Sequence, residues 1–131
     1  MIEPIIYLGI DWGARKIGLA IGDSQTKLAL PYGRVDNWLA VEKIIKQEKV
    51  KQLVIGQPLD LIGRPAILQS GWRYFVDLAQ ASGLIVHLID ERLSTIAADK
   101  LINHQKAAAD QDAIAAMLIL QSFLDSYAAH H

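Results

Sequence analysis

The chain has no cysteine among its 131 residues. This absence excludes disulfide frameworks, thiolate zinc sites and cysteine nucleophiles, and it is typical of proteins in a reducing cytoplasm. No hydrophobic run approaches the roughly 20 residues that a membrane span needs. The first ten residues carry Glu3 and Pro4 rather than the basic leader of a signal peptide. We therefore expect a cytoplasmic protein with no membrane association.

An excess of one charge is also lacking, because 13 Lys and Arg nearly balance 14 Asp and Glu and leave a net charge of −1. This balance argues against a basic domain that simply coats nucleic acid. If three carboxylates bind metal, the remaining surface is weakly positive, which is compatible with a phosphate-bearing substrate. Apolar residues make up 52% of the chain, which excludes disorder. Without repeats or linkers, residues 1–131 are predicted to form a single domain.

Short apolar runs predict a sheet of five strands, at 5–10, 17–21, 28–32, 53–56 and 85–89. Residues 11–13 are expected to form the turn after the first strand. The first three strands are joined by connections too short for parallel crossovers, so they should be antiparallel. Pro31 is expected at an edge of the sheet or at the end of its strand.

Helical periodicity predicts four helices. The first follows Asn37, a typical N-cap residue, and the others are expected at 67–82, 94–102 and 112–127. Gly83 has the usual position after a helix end. The predicted fold is therefore an α/β domain with a mixed sheet, three antiparallel strands then parallel ones, flanked by helices. Ligands of such sheets bind at the carboxyl ends of the strands.

Acidic residues follow two of the predicted strands. Asp11 comes directly after the first strand and Glu91 follows the fifth. Each has an ordinary interpretation, since Asp11 is typical of a turn and Glu91 could form an ion pair or precede a helix. Asp110 and Asp112 lie at the beginning of the last helix and, being two residues apart, cannot share one of its faces. Either could join the other acids, and Asp112 could instead be the N-cap.

Three converging carboxylates would indicate metal-assisted phosphoryl chemistry. Hard oxygen ligands suit magnesium or manganese, and two such ions can activate water and stabilise the leaving oxygen of a phosphodiester. Basic residues near the acids are candidates for phosphate binding, and a glutamine at a strand end could line the cleft. These candidates are Arg15, Lys16, Arg92 and Gln57. Tryptophans are mostly core residues, but Trp12, beside Asp11, could stack on a base.

Several motifs extend over nearly the whole chain: LGIDWG at 8–13, IGLA at 17–20, VIGQPL at 54–59 and DERLST at 90–95. Together with Asp112 and residues 115–116 and 119–121, they resemble the YqgF family of RuvC-like nucleases, in the ribonuclease H-like superfamily. The resemblance implies a ribonuclease H-like fold. It also implies that Asp11, Glu91 and Asp112 are the catalytic acids that bind magnesium or manganese, which selects Asp112 over Asp110.

The resemblance further implies a metal-dependent endonuclease that acts on structured nucleic acid. Members of the family are described as Holliday junction resolvases and as nucleases that mature the 5′ end of pre-16S rRNA. We favour the second activity, with RNA and the ribosome precursor as partners. Two alternatives stay open: a dimeric junction resolvase acting on branched DNA, and a non-catalytic nucleic-acid or ribosome-binding factor. The sequence leaves open whether the protein is a monomer or a homodimer.

Overall fold

The computed structural model describes residues 2–58, 70–91 and 108–127, which form a sheet between helices. The strands are β1 (Ile6–Trp12), β2 (Ile17–Asp23), β3 (Ala29–Val35), β4 (Gln52–Gln57) and β5 (Ile85–Asp90). The helices are α1 (Trp38–Glu48), α2 (Ser70–Ala81) and α3 (Ala108–Tyr127). The helix predicted at 94–102 and the predicted beginning of the helix at 67–82 lie outside the described residues.

The strand order in the sheet is β3-β2-β1-β4-β5. β1, β2 and β3 pair antiparallel, whereas β1, β4 and β5 pair parallel. The predicted mixed five-stranded sheet is therefore confirmed. Pro31 lies in β3 at the edge of the sheet, where a residue without an N–H group is tolerated.

The first helix has the predicted cap. The Asn37 side chain accepts a hydrogen bond from the backbone N–H of Ala40 at 3.0 Å, which satisfies a donor of the first turn. The helix ends at Lys49 in the left-handed conformation. Val41 is completely buried on the inner side of the helix.

Apolar side chains on the two faces of the sheet form two separate cores. The first core joins the sheet to α1 and α2 and includes Leu8, Ile10, Leu19, Val41, Ile55, Phe75 and Val76. The second core joins the sheet to α3 and includes Tyr7, Ala20, Val54, Ile119, Leu120 and Phe123. Each fully buried large side chain contributes about 1.5–3 kcal/mol. Because side chains alternate along a strand, neighbouring residues of β1 serve opposite cores.

Helix α3 approaches β1 and β2 closely because glycines face it. A Cβ atom on Gly9 would lie 2.6 Å from the Leu120 Cβ atom, and one on Gly18 would lie 2.0 Å from the backbone oxygen of Asp112. No other residue type fits these positions without movement of the helix. This contact fixes the beginning of α3 beside the carboxyl end of β1.

Two differences from the predicted boundaries affect the site. β1 does not end before a turn at residues 11–13, because Asp11 pairs with Gly18 and Trp12 with Ile17, and the turn closes between Gly13 and Lys16. The last helix begins at Ala108 rather than at residue 112, since the preceding alanines favour helix. Asp112 is thus inside the helix and is not its N-cap. In the described part of the chain, no helix is long and apolar enough to cross a membrane.

Candidate active site

Asp11 lies near the carboxyl end of β1 and points to the α3 side of the sheet. Its register partner is Gly18, and side chains of paired residues lie on the same face. Because Gly18 contacts the backbone of Asp112 in α3, this face is the one that α3 covers. The partly buried carboxyl group therefore lies between the sheet and the beginning of the helix.

Glu91 follows β5 and returns its side chain over β4. A Cβ atom on Gly56 would lie 2.6 Å from Glu91 Oε1 and 2.7 Å from its Cγ atom. The carboxyl group thus occupies the space that a side chain at position 56 would fill. On the other side of the sheet, the buried Trp72 Nε1 donates a 2.9 Å hydrogen bond to the Gly56 carbonyl. This bond anchors the strand end on which Glu91 rests.

The carboxyl groups of Asp11 and Glu91 are hydrogen-bonded to each other. Burial, the hydrogen bond to Asp11 and the nearby negative charges of Asp11 and Asp90 raise the pKa of Glu91 to about 8. Burial also raises the pKa of Asp11; the bond from Glu91 lowers it and the charge of Asp112 raises it further. The pKa values of both carboxyl groups are therefore raised, as expected of two buried acids that share a hydrogen bond.

Asp112 lies near this pair but is turned toward a cation. Its Oδ2 atom is 3.5 Å from Nη1 of Arg34, while its negative charge acts on Asp11. Among the described residues, no three acidic, histidine or cysteine side chains are arranged as ligands of one metal ion. The structure thus brings Asp11 and Glu91 into contact and holds Asp112 beside them.

Arg34 is a residue of this site that the sequence analysis missed. It lies on β3 opposite Gly18, which in turn pairs with Asp11. The three residues form a row across the sheet, and the glycine in the middle leaves room for the beginning of α3. No sequence motif marks Arg34, because its position depends on the register of β2 and β3.

The remaining predicted residues have different surroundings. Lys16 donates to the exposed carboxylate of Asp36, so it does not contact the acids. Arg15 is exposed in the turn between β1 and β2. Gln57 ends β4 and pairs in register with Asp90. Arg92 lies outside the described residues.

The donor set of the site fits a hard divalent cation. Three carboxyl groups from β1, the end of β5 and α3 offer only oxygen atoms, which magnesium and manganese prefer. Two of them are partly buried and share a proton that a cation would replace. Within the structure described, these residues therefore suit the metal that the sequence predicts.

Glu91 is expected to make the metal-free protein less stable as the pH rises from about 4.5 to about 8. The pKa of Glu91 increases from 4.5 to about 8 on folding. Its contribution to the free energy of unfolding is therefore fully present below about pH 4.5 and is lost as the pH rises through about 8. In a chelating buffer, the wild type and Glu91→Gln should have similar Tm values at about pH 4.5, and the variant should be more stable at about pH 9. His87, whose pKa burial lowers, is present in both proteins. If the Tm values of the two proteins changed in parallel with pH, the raised pKa of Glu91 in the buried carboxyl pair would be contradicted.

Comparison of the chain with known proteins places it in a family. A family model described as "RuvX: Holliday junction resolvase" matches residues 5–126. Three curated relatives are each named "Putative pre-16S rRNA nuclease". The one from Legionella pneumophila (strain Paris) is 34% identical, covering 91% of this chain and 94% of the relative. Those from Maridesulfovibrio salexigens and Chlamydia caviae are 35% and 36% identical, covering 89% and 92% of this chain and 96% and 83% of the relatives.

Solved structures with a similar fold include RuvC of Thermus thermophilus. The structure titled "T. thermophilus RuvC in complex with Holliday junction substrate" matches with a TM-score of 0.61 and 12% identity, covering 93% of this chain and 97% of that one. A second structure of the same protein matches with a TM-score of 0.56 and 11% identity, covering 93% and 98%. At this identity the similarity concerns the fold alone, and the predicted ribonuclease H-like fold is confirmed.

Proposed function

This chain belongs to the RuvX family, and from that membership we propose that it is a metal-dependent endonuclease that matures the 5′ end of pre-16S rRNA in the cytoplasm. The observation that carries the proposal is the hydrogen-bonded pair of Asp11 and Glu91, with Asp112 beside it, at the strand ends of a ribonuclease H-like sheet. The RNA substrate rests on relatives of 34–36% identity that are named for it.

In this proposal Asp11, Glu91 and Asp112 hold one or two magnesium or manganese ions. Bound there, such ions neutralise phosphate oxygens and lower the pKa of water. No protein nucleophile is needed. Asp11 is hydrogen-bonded to Glu91 and is affected by the charge of Asp112, so it would be the central carboxylate of such a site. Arg34 acts on Asp112 by holding its carboxylate in the metal-free protein and limiting repulsion within the cluster.

Phosphate binding is assigned to cations around the acids. Arg15 and Lys16 lie on the turn that follows Asp11 and are exposed, so a strand that reaches the acids passes beside them. Arg92 is proposed to bind phosphate because it follows Glu91 in the chain. Gln57 ends β4 one residue after Gly56, so its side chain starts from the face opposite Glu91, and it is proposed to reach the substrate around the strand end.

The test is a cleavage assay with three substrates, each with and without manganese or magnesium. Labelled pre-16S rRNA fragments, four-way DNA junctions and single strands should be compared at equal concentrations. We expect metal-dependent cleavage of the rRNA fragment near the mature 5′ end. Absence of cleavage of every substrate would contradict the proposal.

Resolution of DNA junctions is the second candidate, and the description of the family model favours it. A resolvase needs two sites related by a two-fold axis to cut paired strands. Symmetric cleavage of the junction by a dimer, without cleavage of rRNA, would select this activity.

Gly56→Ala is expected to reduce cleavage by at least about tenfold with only a modest loss of stability. The added methyl would meet the ends of the Glu91 and Ile119 side chains, each at 2.6 Å. Both ends can move, so overpacking should cost about 1–3 kcal/mol. Displacement of Glu91 from Asp11 misplaces a catalytic group, and a shift of about 1 Å can reduce the rate on the order of 100-fold. Initial rates and thermal melts measure the two effects.

The matched control for Gly56→Ala is the double variant with Ile119→Val. The shorter side chain removes the apolar part of the clash, so the Tm should recover while cleavage stays low. Recovery of both would mean that core packing, and not the position of Glu91, limits the reaction.

A further inference from the structure

A cavity of about 530 Å³ opens on the α1–α2 side of the sheet, at the carboxyl end of β1. The β1–β2 turn, the beginning of α1 and the side of α2 that carries Tyr74 and Phe75 border it. Its lining includes four aromatic side chains, four aliphatic ones and one carboxylate. The aromatic residues are Trp12, Trp38, Tyr74 and Phe75, and the carboxylate belongs to Asp36. None of them takes part in the carboxylate cluster.

The aromatic side chains of this cavity are held in place by their neighbours. The six-membered ring of Trp12 lies against Gly71, where a Cβ atom would come within 2.8 Å of it. Trp38 packs edge-on against Phe75 with 5.5 Å between ring centroids. Tyr74, in contrast, is 68% exposed at the rim. Fixed and accessible aromatic rings are the surfaces on which nucleobases stack.

Two exposed cations lie beside the opening, one of them paired with a carboxylate that borders the cavity. Asp36 borders the cavity and its carboxylate accepts a hydrogen bond from Lys16. Arg15 adds a second exposed cation on the same turn. A nucleotide combines an apolar, flat base with an anionic phosphate, so its base suits the aromatic interior and its phosphate suits the cations outside.

The cavity and the carboxylate cluster lie at the same end of β1 but on opposite faces of the sheet. Asp11 and Trp12 are consecutive residues of β1, and their side chains point to opposite faces of the sheet. Because the residues are consecutive, their Cα atoms are about 3.8 Å apart. To use both sites, a nucleic-acid strand with one phosphate at Asp11 has to pass around the end of the sheet and place a neighbouring nucleotide on the Trp12 side.

We propose that the aromatic cavity at Trp12 binds one unstacked nucleobase of the substrate strand, next to the phosphate at the carboxylates. This inference rests on the proposed nuclease function and adds a specificity element to it. Removing a base from a duplex costs free energy that an unpaired base does not. The enzyme therefore cuts beside unpaired or weakly paired nucleotides, whatever their sequence.

The test measures the position of a fluorescent base in the bound complex. The protein is Asp11→Asn, so that substrate stays intact, and the probes are RNA strands with 2-aminopurine at one position each. Half of the probes are single-stranded and half are base-paired at the labelled position. A matching set of DNA strands tests whether the bound base comes from RNA or from DNA. We expect stacking to change the fluorescence at one position beside the cleavage site, more strongly when the probe is unpaired.

Tyr74→Leu in the same background should abolish most of that change and raise the Kd at least about fivefold. The exposed Tyr74 side chain can be replaced without loss of the core. Tyr32→Leu is the matched control, because Tyr32 is also accessible but bonds to Glu48 at the opposite end of α1; it should leave the signal and the Kd unchanged.

Three outcomes overturn the cavity proposal: no binding, an equal response at every probe position, or equal effects of the two tyrosine variants. The nuclease proposal is judged separately by wild-type cleavage. A wild type that cleaves RNA without any Tyr74-dependent signal leaves the nuclease function intact and removes the base site. A Tyr74-dependent signal with a wild type that cleaves nothing supports the base site and contradicts the nuclease.

Discussion

Asp11→Asn is expected to reduce cleavage by at least about 1,000-fold while the protein becomes no less stable. The substitution keeps the shape of the side chain and a group that can bond to Glu91, but it removes the negative charge that a cation requires. Since burial raises the pKa of Asp11, its charged form is disfavoured in the metal-free protein, and its removal does not cost folding energy. Single-turnover cleavage and thermal melts check the two parts.

A second measurement on Asp11→Asn does not depend on cleavage activity. Magnesium or manganese should raise the Tm of the wild type, because a ligand that binds only the folded state stabilises it. This increase should be lost in the variant. Asp77→Asn is the control, since Asp77 is an exposed residue of α2 that pairs with Arg73, and it should retain both cleavage and the metal-induced increase.

The outcomes separate the proposed nuclease from a binding factor. Undiminished turnover by Asp11→Asn would reject the assignment of the acids. Unchanged binding to RNA, together with absence of metal-dependent cleavage in the wild type, would favour a non-catalytic role in transcription or ribosome assembly.

Gly18→Ala is expected to be the most destabilising of the single substitutions considered. The new methyl would lie 2.0 Å from the backbone oxygen and 2.5 Å from the carbonyl carbon of Asp112. Backbone atoms cannot rotate away, so α3 must move from the sheet and part of the second core opens. We expect a loss of about 3 kcal/mol or more, which lowers the Tm of a chain of this size on the order of 10 °C. Denaturant and thermal unfolding measure it.

Cleavage should fall together with stability in this variant, because the helix carries Asp112. Gly56→Ala is the matched comparison: the chemical change is the same, but the atoms it meets are flexible ends of side chains. Stability should therefore fall more at position 18 than at position 56. Wild-type stability of Gly18→Ala would mean that α3 does not pack against β2 as the structure has it.

Local patterns were sufficient for most of the fold because each has a local physical cause. The short connections between the first three strands require antiparallel pairing, and Asn37 supplies a cap for the first turn of α1. Element ends were less predictable. Asp11 and Trp12 extend β1 because β2 offers partners for them, and this pairing is invisible in a turn-like sequence.

The candidate site was likewise only partly predictable from the sequence. The types and order of the acids, and their position after strands, could be read from the chain, and a resemblance to a nuclease family selected Asp112. The hydrogen bond between Asp11 and Glu91 could not be predicted, because it depends on the space above Gly56. Arg34 could not be predicted either, since its contact with Asp112 needs the register of two strands and the position of a helix.

By itself, then, the order of amino acids determined an α/β domain with carboxylates at the ends of its strands, because hydrophobic periodicity and turn chemistry act over a few neighbouring residues. Only the tertiary structure decided how close those carboxylates lie, which cation faces Asp112 and where aromatic rings enclose a cavity. These properties depend on distances between residues remote in the chain, and packing of α3 and α2 on opposite faces of the sheet sets them.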